Sequence, residues 1–418
     1  MSIRTMELSN FKSFESLRVE LGKFNVVIGA NASGKSNFIG AFRFLRDIQR
    51  DGLDDAISIN GGSKALVNLR VGPAEDMEIK FVSDRSTGWV FGEKGVKTRE
   101  LFCNFAIRFK NGQLAYEVDS DEMSLSFDVV RLEHEENLFK ETDTLHHGKI
   151  VLTNTRGKRG YSLEPEDIAS ELADYMPFPP PSDIFQKVLD KRIEKNQLFL
   201  ESALPFIMPL YEAEDIAIYN FDPNLARNPA QVVGKPELKE DGSNLSLVLR
   251  KIIDEEESRR KLLHLMKDLL PFVQDVEVQR LAENSLLVYL SEEYFDKEPL
   301  PAHMLSAGTI NVTAMIAALY FQKAGVVIIE EPERNIHPYL MSRVIDMMKD
   351  ASKSKQIIIT THSAEVVKYA GLDNILLVQR DKRGNSSISK PSEKNEVKVF
   401  LENEMGLDEL YVENLLEL

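Results

Sequence analysis

The stretch Gly29-Ala-Asn-Ala-Ser-Gly-Lys-Ser36 decides how this chain is read. Glycines at 29 and 34, followed directly by Lys35 and Ser36, meet the pattern of a phosphate-binding loop. Upstream, Phe24-Asn-Val-Val-Ile28 is a short apolar run of the kind that makes a buried parallel strand. Downstream, Phe38, Phe42, Leu45 and Ile48 recur at helical spacing until Asp51-Gly52 offers a stop. Strand, glycine turn and helix therefore follow one another, which is the context such a loop needs. Its backbone N–H groups can curl around phosphates, and the helix N-terminus adds partial positive charge. Lys35 is expected to reach the β- and γ-phosphates of a nucleotide, and Ser36 to offer its hydroxyl to Mg²⁺. The expected nucleotide-binding residues are Gly29, Asn31, Ala32, Ser33, Gly34, Lys35, Ser36 and Asn37.

Two further apolar runs, Val326-Val-Ile-Ile329 and Gln356-Ile-Ile-Ile359, are too continuously hydrophobic for surface strands. With Phe24–Ile28 they predict a covered, mainly parallel sheet, an α/β fold. Glu330 and Glu331 stand at the end of the first of these runs, where ligands of open α/β sheets bind. Glu330 is expected to hold Mg²⁺ through water, and Glu331 to polarise an attacking water as general base. His362 follows the second run, placed to hydrogen-bond a γ-phosphate or orient water. Ser306 and Gly308 precede Val312, Met315, Ile316, Leu319 and Tyr320 at helical spacing, so hydroxyl, N–H groups and dipole can grip a γ-phosphate. Read alone, the same residues make an ordinary serine cap. His337 is a candidate contact residue beside the nucleotide, whereas His134, His146, His147, His264 and His303 lack metal-ligand spacing.

This ordered set resembles an ABC-type ATPase of the SMC, RecF and OLD group. Gly29–Ser36 resembles Walker A, Leu305-Ser-Ala-Gly-Thr309 the ABC signature, Val326–Glu331 Walker B, and His362 in Thr360-Thr-His-Ser363 the switch histidine. Asn10-Phe-Lys-Ser-Phe14 and Glu330-Glu-Pro-Glu-Arg-Asn-Ile-His-Pro338 are closest to stand-alone RecF- or OLD-like ATPases. The resemblance covers roughly residues 1–60 and 270–380. It implies a P-loop NTPase of ABC-ATPase type that uses ATP and Mg²⁺, with Lys35, Glu331 and His362 catalytic and Ser36 and Glu330 at the metal. It also implies a head-to-head dimer, in which Ser306 and Gly308 grip the γ-phosphate held by a second copy. Glu330 departs from the group's commoner Asp. Closure is expected to be passed to a protein effector such as a nuclease or toxin, in DNA repair or anti-phage defence. The alternatives are an OLD-like enzyme that cuts nucleic acid with a nuclease in trans, and a transporter's nucleotide-binding subunit.

The rest of the 418 residues sorts into blocks. Residues 1–165 read as the first part of the ATPase head: a hairpin around Asn10–Glu15, then alternating strands such as Met77–Val82, Phe105–Phe109, Leu125–Val130 and Ile150–Leu152 in an antiparallel subdomain, with Asn111-Gly112 as a tight turn. Residues 166–270 read as a helical insert, opened by the stiff Phe178-Pro-Pro-Pro-Ser182 and containing one short strand at Ala217–Phe221. Residues 271–390 complete the head and 391–418 form a helical tail. A net charge of −16 gives nucleic acid no support as a partner, although Arg156, Lys158 and Arg159, then Arg259, Arg260 and Lys261, then Arg380, Lys382 and Arg383, form local basic clusters. No apolar run reaches the ~18 residues of a membrane helix, and the start lacks the apolar core of a secretion signal. A single cysteine fits a reducing cytosol, so a cytoplasmic place without membrane partners is expected.

Overall fold

The computed structural model describes residues 2–84, 88–91, 93–110, 115–135, 138–165, 194, 196–201, 216–234, 236–282, 284–294, 298–402 and 405–417. The Asn111-Gly112 turn and the proline run lie outside the described residues, as does part of the expected helical insert. In chain order the strands begin with β1 (Ser2–Phe11), β2 (Phe14–Glu20), β3 (Phe24–Ile28), β4 (Met77–Asp84), β5 (Gly88–Phe91) and β6 (Lys94–Phe109). Next come β7 (Tyr116–Glu135), β8 (Leu138–Thr155), β9 (Lys158–Glu164), β10 (Ile216–Tyr219), β11 (Ala230–Gln231) and β12 (Val273–Ala282). The series ends with β13 (Ser285–Glu292), β14 (Leu300–Pro301), β15 (Val326–Glu330), β16 (Gln356–Thr360), β17 (Ile375–Arg380) and β18 (Ser386–Ser389).

The chain divides into two compact units, the first made of 1–21, 36–215 and 379–388, the second of 22–35, 216–378 and 389–418. The division follows the sheets, whereas the sequence suggested consecutive blocks.

In the first unit an eight-stranded antiparallel sheet runs β2-β1-β4-β6-β7-β8-β9, with β5 on β6. Its register is set by alternation: along β1, Ile3, Met6 and Leu8 are buried while the residues between them are less so. The helix Lys35–Asp51 contributes Phe38, Ile39, Phe42, Phe44, Leu45 and Ile48 to this unit's core. Phe38 and Phe42, one helical turn apart, meet edge to face at 5.4 Å. The β-strands here are far longer than their apolar peaks suggested, up to the 20 residues of β7.

In the second unit, five strands of a six-stranded sheet run β10-β15-β16-β3-β17. Every described pairing among them is parallel: Ile216 pairs Val326, Val326 pairs Gln356, Ile357 pairs Phe24, and Ile375 pairs Val26. Continuous apolar sequence explains why this sheet is covered: Val26, Val27, Ile28, Val326 to Ile329 and Ile357 to Ile359 are all fully buried. The helix Ala307–Phe321 is buried from Thr309 through Leu319, as expected of a helix apolar on all sides. Helices Leu245–Ile253 and Glu256–Leu269 bury Val248, Leu249, Leu262 and Met266 in the same core, so this part of the expected insert belongs to the second unit. A small antiparallel sheet, β11-β13-β12 with β14 on β13, completes the unit. The tail forms helices Asn395–Glu402 and Leu407–Val412, with Val397 and Leu410 buried. Among the described residues no helix is long and apolar enough to cross a membrane.

Candidate nucleotide site

Parallel pairing brings distant motifs to one edge of the second unit's sheet. Glu330 pairs with Thr360, and Thr360 pairs with Val27, so β15, β16 and β3 end side by side. The backbone continues the alignment beyond the strands: Glu331 N–H donates to the Thr360 carbonyl at 2.9 Å, and Thr361 N–H to the Val27 carbonyl at 3.0 Å. Glu331, His362 and the glycine loop therefore emerge together.

The loop itself depends on glycine. Gly29 has φ of +149°, and a Cβ there would sit 2.3 Å from the Val378 carbonyl oxygen. Gly34 and Ala32 also have positive φ, 120° and 62°, and the Ser33 N–H donates to the Ala30 carbonyl at 3.2 Å. Lys35 Nζ donates to the loop's own carbonyls, Gly29 at 2.6 Å and Ala30 at 3.1 Å. Burial lowers the Lys35 pKa, and the charges of Glu331 and Glu333 pull it back up. From Ser36 onward the helix belongs to the first unit, where Asn37 Nδ2 donates to Ser13 Oγ at 2.8 Å.

Glu331 is held in an unusual pose. Its φ is +48°, an uncommon value for a non-glycine residue, and such strain clusters at functional sites. Arg334 Nη2 lies 2.7 Å from one carboxylate oxygen, and His362 Nε2 lies 3.3 Å from the other. Arg334 also reaches Asn220 Oδ1 at 3.3 Å. Two residues further along, Glu333 Oε1 accepts from Thr361 Oγ1 at 2.5 Å. Burial is the main cause raising the Glu333 pKa, against the lowering effect of that hydrogen bond. From the tail, the Tyr411 hydroxyl faces the Gly29 N–H and the Glu333 charge; burial chiefly raises its pKa.

Ser306 is an N-cap: its Oγ accepts from Thr309 N–H at 3.0 Å and shares a 2.8 Å hydrogen bond with Thr309 Oγ1. The residue is exposed, so a second molecule could reach it. Gly308 lets the helix start pass close to the Glu330–His337 turn, since a Cβ there would lie 2.7 Å from the Asn335 carbonyl oxygen. Asn311 Nδ2 ties the same elements by donating to the Arg334 carbonyl at 2.6 Å. His337 caps the short turn Pro338–Leu340, accepting the Tyr339 N–H.

The structure brings Glu330, Glu331, His362 and the loop together at one sheet edge. The sequence reading quoted Glu333, Arg334 and Thr361 without assigning them a role; their positions inside the Glu330–Pro338 and Thr360–Ser363 runs were the only signal. The first unit holds a separate cavity of about 300 Å³ whose lining includes Lys12, Asn37, Lys64, Arg70, Arg380 and Arg383. Five of these side chains are basic, so the lining suits an anion, although burial and the Arg43 charge lower the Lys12 pKa. Part of the basic cluster Arg380–Arg383 is therefore cavity wall.

The loop fits the phosphates of a nucleotide. The glycine loop is a cradle that a Cβ would fill, and Lys35 spends its protons on carbonyls that a phosphate could replace. Among the described residues no group of three or more His, Cys, Asp or Glu could hold a metal ion by itself.

A family model described as AAA ATPase domain matches residues 1–367. A 145-residue stretch is 31% identical to Structural maintenance of chromosomes protein 1 of Saccharomyces cerevisiae, covering 34% of this chain and 12% of that protein. Another, of 93 residues, is 28% identical to an uncharacterized protein of Methanocaldococcus jannaschii, covering 22% of this chain and 24% of that one. The matches span only these minor parts of both relatives. Among solved structures, the SMC head bound to the C-winged helix domain of ScpA aligns at 15% identity over 93% of this chain and 97% of the other, with a TM-score of 0.44. The SMC head domain from Thermotoga maritima aligns at 14% identity over 93% and 99%, with a TM-score of 0.42.

Proposed function

The chain belongs to the AAA ATPase domain family, and from that premise we propose that it is a Mg²⁺-dependent ATPase whose ATP-bound form closes head to head with a second copy. The observation that carries this reading is the meeting of the Gly29–Lys35 loop, Glu331 and His362 at the ends of three adjacent parallel strands. In this reading Ser36 and Glu330 would hold Mg²⁺, an ion that takes oxygen ligands. Glu331 accepts a proton from the attacking water, and His362 orients it. Lys35 exchanges the Gly29 and Ala30 carbonyls for phosphate oxygens, which returns its full charge to the site. Metal supplies charge neutralisation at the phosphates when bound.

The exposed Ser306, at the start of a fifteen-residue helix, supports reception of a γ-phosphate from a second molecule. Closure of the pair is the signal we propose is passed to a protein effector. The test is light scattering after size exclusion, with and without ATP, on the unsubstituted chain and on Glu331→Gln. The expected result is an ATP-dependent dimer that Glu331→Gln traps. Lys35→Ala should abolish both binding and dimerisation; ATP binding undiminished by that change would remove the assignment.

A further inference from the structure

One carboxylate at this edge has no place in the scheme above. Glu333 is turned into the protein: its Oε1 accepts from Thr361 Oγ1 at 2.5 Å, while Oε2 is buried with no hydrogen-bond partner among the described residues. A buried carboxyl oxygen left unpaired lowers stability, so packing alone gives no reason to keep it. Thr361, fully buried, is a junction. Its N–H holds the end of β3 through the Val27 carbonyl, and its hydroxyl oxygen accepts the Ser363 N–H at 2.9 Å while donating to Glu333. His362 lies between the two residues that this hydroxyl ties together. The imidazole inherits its place from them, and that place is 3.3 Å from the Glu331 carboxylate.

We propose that Glu333 is a positioning residue for hydrolysis: through Thr361 it sets the Thr361–Ser363 strap, and with it the pose of His362 against Glu331. The inference rests on the ATPase reading and assigns a role within it. Glu333 and Thr361 are 28 positions apart in sequence and act as one unit, hydroxyl donor to carboxylate acceptor. The bond orients a group that acts on water; it does not hold the nucleotide. Its loss therefore falls on the chemical step.

Steady-state kinetics with Mg-ATP on the full chain test this, with nucleotide affinity and thermal melting measured alongside. Glu333→Ala and Thr361→Val should each lower kcat by roughly ten- to a hundredfold, with KM and nucleotide affinity within about threefold of the unsubstituted chain. The double variant should be no slower than the slower single one, as residues acting as a unit are not additive. Glu333→Gln, which keeps an acceptor, and Thr361→Ser, which keeps the hydroxyl, should each restore most of the lost rate. A Glu333→Ala chain with kcat within about twofold of normal would overturn the proposal, as would a loss expressed through KM alone or losses that multiply in the double variant. Should Glu333→Ala fail to fold, the contrast of Thr361→Val with Thr361→Ser decides: equal rates refute the inference. If the unsubstituted chain shows no turnover, the ATPase reading falls along with it, an outcome distinct from active variants in an active background.

Discussion

The two units use β-structure in opposite ways. In the second, β15 and β16 are five residues each and apolar almost throughout, and Glu330, Glu331 and His362 stand at or just past their ends. In the first, β7 and β8 run to 20 and 18 residues, and polar groups are spread along their lengths. There Asp128 is buried and paired with Arg99 and, at 2.6 Å, with His147 Nδ1. Parallel strands all finish on one side, so residues hundreds of positions apart can converge on one ligand. Antiparallel strands alternate direction, so a buried charge is satisfied by its cross-strand neighbours and converges on nothing. On the proposed reading, a carboxylate beside a histidine serves chemistry in one unit and scaffolding in the other.

The largest effect expected from this contrast is on turnover. Glu331→Gln should slow ATP hydrolysis by about 10²- to 10⁴-fold, the usual cost of losing a general base. Asp128→Asn disturbs a similar carboxylate–histidine pair in the first unit, and turnover should stay near normal while stability falls. Single-turnover assays on both variants check the pair of expectations. Comparable losses from the two substitutions would dissolve the distinction.

The next effect concerns pH and belongs to the first unit. Asp121 is buried, and that burial pushes its carboxyl up to about 8; the Phe199 N–H, 2.6 Å away, acts in the other direction, and the Glu201 charge raises it further. Glu201, which accepts the Leu53 N–H at 2.9 Å, is raised as well, again mainly by burial. An acid raised on folding keeps its proton in the native chain after the unfolded chain has lost it. The stability it lends is whole below the ordinary Asp value near 4 and drains away as pH climbs to about 8. Melting midpoints should fall across that window, on the order of a few kcal/mol in all, and Asp121→Asn should flatten much of the slope. Turnover measured at fixed temperature well below melting should not follow this titration if the cluster is scaffolding.

How much of this could be read from sequence differs between the units for the same reason. Phe24–Ile28, Val326–Ile329 and Gln356–Ile359 are short, mostly apolar runs, so both the covered sheet and the residues at its ends were legible. Ile375-Leu-Leu-Val378, in β17, carries the same signature but went unassigned. Ala217–Phe221 was recognised as strand, yet its parallel partner β15 is more than a hundred residues away and leaves no local mark. In the first unit only apolar peaks were visible, because charged residues on the exposed faces of β6 to β9 interrupt any hydrophobic count. Within the site, Lys35 and Glu331 are announced by motif spacing. The Glu333–Thr361 bond and the Arg334 ion pair depend on side-chain direction after the strands have been aligned, which spacing does not encode.

A smaller effect probes how tightly the parallel unit holds its loop. Gly29→Ala forces a Cβ against the Val378 carbonyl oxygen at 2.3 Å, a backbone atom that cannot swing aside. Either the loop or the end of β17 must move, at a cost of about 1–3 kcal/mol, with nucleotide affinity falling alongside. Isothermal titration with ATP and a denaturant melt report the two losses together. Normal affinity in this variant would mean the loop tolerates a shape the parallel edge does not dictate.

The smallest expected effect separates fold from function within one residue. Ser306 Oγ already caps the helix Ala307–Phe321 through Thr309 N–H, so Ser306→Ala should cost the nucleotide-free chain about 1 kcal/mol. A cap and a phosphate ligand make different demands on the same oxygen. Ser306→Thr keeps the hydroxyl and most of the capping energy but adds a methyl group at an exposed helix start, where a second molecule would have to approach. If Ser306 serves only its own helix, Ser306→Thr should melt and dimerise normally, and Ser306→Ala should lose stability alone. If it also meets a phosphate across a pair of heads, ATP-dependent dimerisation should fall in both variants, including the one whose melting midpoint is nearly unchanged. The edge of the parallel sheet would then be half a site, completed by the same edge of another copy.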